Sequence, residues 1–130
     1  MVICDKHRKR ANEISSMVVI GDVHDKDIVI IDDICDTGGT LAKSAALLKE
    51  KGARSVRALI THPVLSGKAY ENIENSALEE LVVCDTIPVK KETKKIKVIT
   101  VAELFAVAIR NAYENKSINN LFFHSKLRDQ

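Results

Sequence analysis

One hundred and thirty residues fit a single domain, and a composition 45% hydrophobic and 29% charged, with 5 Gly and 2 Pro, excludes disordered chains and fibrous repeats. Twenty Lys and Arg against 18 Asp and Glu leave a formal charge of +2, too small an excess for a dedicated nucleic-acid binder. No apolar stretch nears the ~20 residues of a membrane span, and no signal-peptide pattern opens the chain.

The elements alternate along the chain. Val2-Ile3-Cys4 is a short apolar run that breaks into the basic stretch Asp5-Lys6-His7-Arg8-Lys9-Arg10, and Asp5 to Ile14 reads as a mobile loop because its four cations repel one another. Met17 to Ile20 and Ile28 to Ile31 are β-branched strand runs. From Thr40 to Lys51 the period changes, with Leu41, Ala45 and Leu48 on one helical face and Gly52 in the position of a helix C′ residue. Val56–Ile60, Leu81–Cys84 and Ile96–Ile99 read as strands, Lys68–Asn75 as a short helix, Val101–Tyr113 as a longer one, and Leu121–Phe123 as a last strand. Strands that are continuous apolar runs, alternating with helices, predict an α/β domain with a mostly parallel sheet flanked by helices. Ligands of such sheets bind at the carboxyl ends of the strands.

One segment carries chemistry: Ile28-Val29-Ile30-Ile31-Asp32-Asp33-Ile34-Cys35-Asp36-Thr37-Gly38-Gly39-Thr40. It is a buried strand, two adjacent acids, a Gly/Thr-rich turn and a helix start. A turn entering a helix presents unpaired N–H groups and the positive end of the dipole, which suits a phosphate. Gly38 and Gly39 permit close approach, and the hydroxyls of Thr37 and Thr40 add donors. Asp32 and Asp33 can accept hydrogen bonds from the vicinal hydroxyls of a sugar. The pattern describes a site for a phosphorylated sugar. Neither G-x-G-x-x-G nor G-x-x-x-x-G-K-[ST] is present, so dinucleotide and Walker sites are not indicated. The Cys and His residues lack zinc-ligand spacing, and three cysteines without a C-x-x-C pair suit reduced thiols in the cytoplasm.

The same segment resembles the phosphoribosyl diphosphate (PRPP) loop of the type I phosphoribosyltransferase fold. Within that fold the chain is similar to the ribose-phosphate diphosphokinase, or PRPP synthetase, family. Asp5-Lys6-His7-Arg8 resembles the family's D-K-x-R loop, and Thr61-His62-Pro63-Val64-Leu65-Ser66-Gly67 resembles a string found in the synthetases rather than in base-using transferases. Glu80 to Val83 with Asp85 to Pro88 resembles the stretch that follows. The resemblance implies that Asp32 and Asp33 meet the ribose hydroxyls of ribose 5-phosphate. It implies that Asp36, Thr37, Gly38, Gly39 and Thr40 hold the 5-phosphate, and that Lys6 and Arg8 reach the phosphates of ATP. The implied reaction moves diphosphate from Mg²⁺-ATP to ribose 5-phosphate, giving PRPP and AMP.

Departures from the family pattern are His7, where Arg is frequent, and Cys35, where Ile or Val is common. The Asp36 carboxylate is out of place beside a phosphate, and it reads as ordering the turn by accepting local N–H bonds. Family members are more than twice as long, so residues 1–130 correspond to a C-terminal phosphoribosyltransferase-like domain that is itself incomplete. The domain bearing most of the ATP site and the Mg²⁺ ligands would precede it. The resemblance therefore implies a ribose 5-phosphate half-site, inactive by itself, in a homo-oligomer with neither nucleic-acid nor membrane partners. An exposed strand edge or apolar face is expected where neighbouring segments are lacking. Two other readings are a PRPP-dependent phosphoribosyltransferase and a non-catalytic regulatory subunit of a synthetase.

Overall fold

Alternating apolar runs and turn residues fold the chain as β1 (Ile3–Arg10), β2 (Glu13–Ile20), β3 (Asp27–Cys35), α1 (Gly39–Glu50), β4 (Ser55–Pro63), α2 (Ala69–Glu74), β5 (Glu80–Cys84), β6 (Ile96–Ile99) and α3 (Ala102–Tyr113). A 3-10 turn, Asn119–Leu121, follows. The computed structural model describes residues 3–10, 13–91 and 93–121. It divides into two units, Met1–Ile99 and Thr100–Gln130.

In the first unit β3-β4-β5-β6 form a four-stranded sheet in sequence order, every pair parallel. The register places Ile30 beside Ala58, Ala58 beside Leu81 and Leu81 beside Ile96. Because side chains alternate along a strand, these residues share one face with Ile28, Val56, Ile60 and Val83. Against it pack Leu41, Ala45 and Leu48 of α1 with Ala69 and Ile73 of α2, making one core. Leu48, Ile73, Leu81, Val56 and Val83 are fully buried, and truncating any of the larger ones to Ala costs about 2–5 kcal/mol. Gly52, at φ +90°, stops α1 where the sequence places its C′ residue.

The α/β class and the parallel sheet are as the sequence predicts, with helices on one face. The other face presents Val29, Ile31, Leu59 and Ile99 to solvent, with Ile31 77% exposed. Strand β3 lies at the sheet's edge.

Two expectations need correction. Asp5 to Arg10, read as a mobile loop, belongs to β1, which pairs antiparallel with β2 in a separate two-stranded sheet. The register sets Ile3 beside Ile20, Cys4 beside Val19 and Asp5 beside Val18, so the β-branched run of β2 extends the pairing into the charged stretch. Leu121 ends a 3-10 turn instead of opening a strand, and residues 122 and 123 lie outside those described. In the second unit α3 spans the predicted helix and exposes Leu104, Phe105, Ile109 and Tyr113.

Candidate functional site

Parallel strands put the ends of β3, β4 and β5 along one edge of the sheet, and the chemistry-bearing residues collect there. Asp32 and Asp33 are the sixth and seventh residues of β3, both exposed, and the Asp33 N–H donates to Asp32 Oδ1 at 3.0 Å. Adjacent residues of a strand face opposite ways, so the two carboxylates straddle the sheet edge. Cys35 closes the strand and is buried. Burial pushes its thiol up to about 11, only partly offset by an N–H bond from Gly38.

The turn after β3 is Asp36-Thr37-Gly38. Gly38 stands immediately before α1 with φ +70° and ψ −7°, a left-handed conformation that glycine adopts without steric cost. Its carbonyl accepts the Ala42 N–H at 2.9 Å, the first bond of the helix. The N–H groups of the first turn of a helix have no intrahelical acceptor, and among the described residues no side chain caps those of α1. A Cβ built on Gly38 would stand 3.3 Å from the Ala69 carbonyl oxygen and 3.3 Å from Ile73 Cγ1. One built on Gly39 would meet nothing closer than Thr37 Oγ1 at 3.8 Å. Gly38 is thus needed by the fold, whereas the space over Gly39 is open.

The loop after β4 grips this turn. The Leu65 N–H donates to the Cys35 carbonyl at 3.1 Å and the Ser66 N–H to the Asp36 carbonyl at 3.0 Å. Leu65 sits in the left-handed region at φ +48°, a conformation that costs a non-glycine residue about 1–2 kcal/mol. The Ser66 hydroxyl donates to Asp36 Oδ1, and Asn72 Nδ2–H of α2 donates to the Thr37 carbonyl at 2.8 Å. The Asp36 carboxylate is therefore held by a hydroxyl from the neighbouring loop, and the local N–H bonds expected of it are replaced by this contact. His62, at the end of β4, also has a fixed role. Thr86 donates its one hydroxyl hydrogen to the Thr61 carbonyl at 2.8 Å, so at 2.9 Å it accepts the His62 Nδ1–H.

The structure brings Asp32, Asp33, Asp36, Thr37, Gly38, Gly39 and Thr40 together at one sheet edge, all from one continuous segment. Lys6 and Arg8 are in the separate hairpin, where their backbones pair with Met17 and Ile14. Sequence reasoning missed Ser66 and Asn72. The parallel register that sets Pro63 beside Cys35, and so brings Ser66 to Asp36, is defined only by the folded sheet. Nothing in a six-residue helix announces Asn72.

The family model described as the phosphoribosyl synthetase-associated domain matches residues 5–123. A ribose-phosphate pyrophosphokinase of Wolinella succinogenes is 58% identical over 122 residues, which are 94% of this chain and 40% of the relative. One of Campylobacter jejuni is 56% identical over the same shares. The chain thus spans about two fifths of the length of the curated relatives it matches. A crystal structure of phosphoribosylpyrophosphate synthetase from Mycobacterium smegmatis superposes with a TM-score of 0.75 at 36% identity, over 79% of this chain and 35% of that one.

Proposed function

The chain belongs to the phosphoribosyl synthetase family, and from that premise we propose that it forms the ribose 5-phosphate half-site of a ribose-phosphate diphosphokinase. The observation that carries the reading is the placement of two acids one turn before the uncapped N-terminus of α1. The spacing suits a ligand with a diol at one end and a phosphate at the other. Asp32 and Asp33 accept hydrogen bonds from the ribose hydroxyls. The N–H groups at the start of α1 and the Thr37 and Thr40 hydroxyls donate to the 5-phosphate, aided by the helix dipole. Asp36, held by Ser66, contributes its backbone to the cradle.

In the reaction so assigned, the anomeric hydroxyl oxygen of ribose 5-phosphate attacks the β-phosphorus of ATP in line. The bond from that phosphorus to the AMP oxygen breaks, the hydroxyl proton passes to solvent, and the products are PRPP and AMP. Negative charge grows on the phosphoryl oxygens and the departing AMP. Lys6 and Arg8 supply cations there, a point charge and a planar fork. Mg²⁺ enters as part of the Mg²⁺-ATP substrate and supplies neutralising charge. Such ions are commonly held by one or two carboxylates with phosphate oxygens. We assign the ligands of this Mg²⁺ mainly to regions the longer relatives possess.

The same reading makes the chain a cytoplasmic component that associates with further copies or with the rest of a synthetase. Among the described residues no helix is long and apolar enough to cross a membrane. Calorimetry with ribose and ribose 5-phosphate tests the site. Clear preference for the phosphorylated sugar is the expected result, and equal binding of the two defeats the assignment.

A further inference from the structure

Building on that reading of the site, we propose that Ser66 and Asn72 are positioning residues that hold the Asp36–Thr40 turn in its anion-accepting shape. The turn contains two glycines and lacks a side-chain cap of its own, so its conformation must be imposed from outside. Three consecutive carbonyls are taken by one neighbouring segment: Cys35 by Leu65, Asp36 by Ser66 and Thr37 by Asn72, at 2.8–3.1 Å. Peptide planarity then turns the N–H groups of Asp36 and Thr37 away from that segment, while the Gly38 N–H is given to the Cys35 sulfur. Carbonyl oxygens, which repel an anion, are kept facing the Leu65–Asn72 segment.

Ser66 has a second effect. A free aspartate just ahead of a helix is drawn to the unpaired N–H groups of the first turn, where Asp is a favoured cap. The Ser66 hydroxyl holds the Asp36 carboxylate toward the β4 loop instead. Without that bond, Asp36 competes for the N–H groups assigned to the phosphate. Asn72 works from the other side. Its amide reaches the Thr37 carbonyl from α2, the helix whose Ile73 lies against Gly38. The segment Thr61 to Gly67, together with α2, is thereby the outer wall of the phosphate site.

The test measures binding of ribose 5-phosphate and of ribose by the 130-residue chain and its variants, and takes the ratio of the two affinities. Ser66→Ala removes the hydroxyl, Asn72→Leu removes the donor at similar volume without adding charge, and Ser66→Thr keeps a hydroxyl. Losing one buttressing hydrogen bond should lower affinity for the phosphorylated sugar about tenfold. Ribose affinity should change little, so the ratio falls in Ser66→Ala and Asn72→Leu and is retained in Ser66→Thr. General unfolding would lower both affinities together, so an unchanged ratio in the two disruptive variants overturns the inference. A parent chain that binds both sugars equally overturns the half-site reading instead, and the two failures are distinct. Amide hydrogen exchange at Gly39 and Thr40 gives a second readout. Faster exchange in Asn72→Leu supports the positioning role, and unchanged exchange contradicts it.

Discussion

Gly38 and Ile73 are packed so closely that a single added methyl on the glycine would stand 3.3 Å from the isoleucine side chain. The adjacent glycine has no such neighbour, and the contrast separates folding from binding at two consecutive positions. Gly38→Ala forces a non-glycine residue to φ +70° and crowds Ala69 and Ile73, which should cost about 1–2 kcal/mol or more. Gly39→Val places its side chain in open space over the turn, where the 5-phosphate is assigned. Thermal unfolding should move for Gly38→Ala and hold nearly steady for Gly39→Val. Calorimetry should show ribose 5-phosphate binding lost in Gly39→Val. Retained binding there would remove the phosphate from the turn.

Acid stability should depend on Asp27. Its carboxylate takes two bonds from the Arg54 guanidinium and one from the Ser55 hydroxyl, tying the start of β3 to the start of β4. The Arg54 bonds, then Ser55, hold its pKa well below the ordinary carboxylate range. A depressed folded-state pKa stabilises above the unfolded value, ~3.9, and the benefit is lost as pH falls toward the folded one. Chemical denaturation at pH 7, 4 and 3 should show declining stability, with a shallower decline in Asp27→Asn. The pair is about half exposed, so added salt should weaken the effect. Parallel acid profiles for the two proteins would contradict this account.

Cys35 should behave as an inert thiol despite its place beside the turn. With burial raising its pKa to about 11, the thiolate is about a hundredfold scarcer at pH 8 than for a thiol titrating near 9. Alkylation of Cys35, followed by peptide mass mapping, should be slow in the folded chain and rapid after denaturation. The sign also fixes a stability trend. The neutral thiol's contribution is complete below about pH 9 and is lost as pH rises toward 11. Rapid folded-state labelling would show that the strand end opens readily.

The legible and hidden parts of the site divide along a physical line. Asp32, Asp33, Gly38 and Gly39 lie within one eight-residue stretch, and a strand–turn–helix unit carries its geometry locally. The positions of α1, β5 and β6 were readable for the same reason, since apolar period and Gly52 are local signals, whereas β4, expected to end at Ile60, runs on to Pro63. Ser66 and Asn72 act 30 and 35 residues from their partners, across a crossover whose register only the folded sheet defines. The carboxylate of Asp36 was misread because its partner is such a distant group. Asp5 to Arg10 was misread differently: charge repulsion argued for a loop, and pairing with β2 prevailed.

The open face of the sheet predicts association. Val29, Ile31, Leu59 and Ile99 are all at least 41% exposed and lie together on the side away from α1 and α2. Ile31, Leu59 and Ile99 rim a hollow shared with Val82 and Cys84. Contiguous apolar surface of this kind drives association, and β3 offers a strand edge beside it. Light scattering on the 130-residue chain should give a mass above that of the monomer, rising with salts that strengthen apolar burial. Ile31→Lys, at the most exposed of these positions, should shift the distribution toward monomer. A chain that stays monomeric at high concentration would show that this face tolerates water.

The last prediction concerns turnover. The chain spans about two fifths of its curated relatives, and the half-site reading assigns most of the ATP contacts to the remainder. Supplied with Mg²⁺-ATP and ribose 5-phosphate, residues 1–130 should therefore bind the sugar phosphate and release no AMP. Joining them to the preceding region of a close relative should restore AMP release in a coupled assay. In that restored enzyme Lys6→Ala removes a cation from the charge growing on the phosphoryl oxygens. The rate should fall by about 10²–10³, the usual scale for one transition-state electrostatic group. Ribose 5-phosphate affinity should stay within a few-fold of the parent, because Lys6 belongs to the β1–β2 hairpin and not to the turn after β3. Steady AMP release from the 130-residue chain alone would place the whole active site within it. An undiminished rate in Lys6→Ala would remove that lysine from the chemistry.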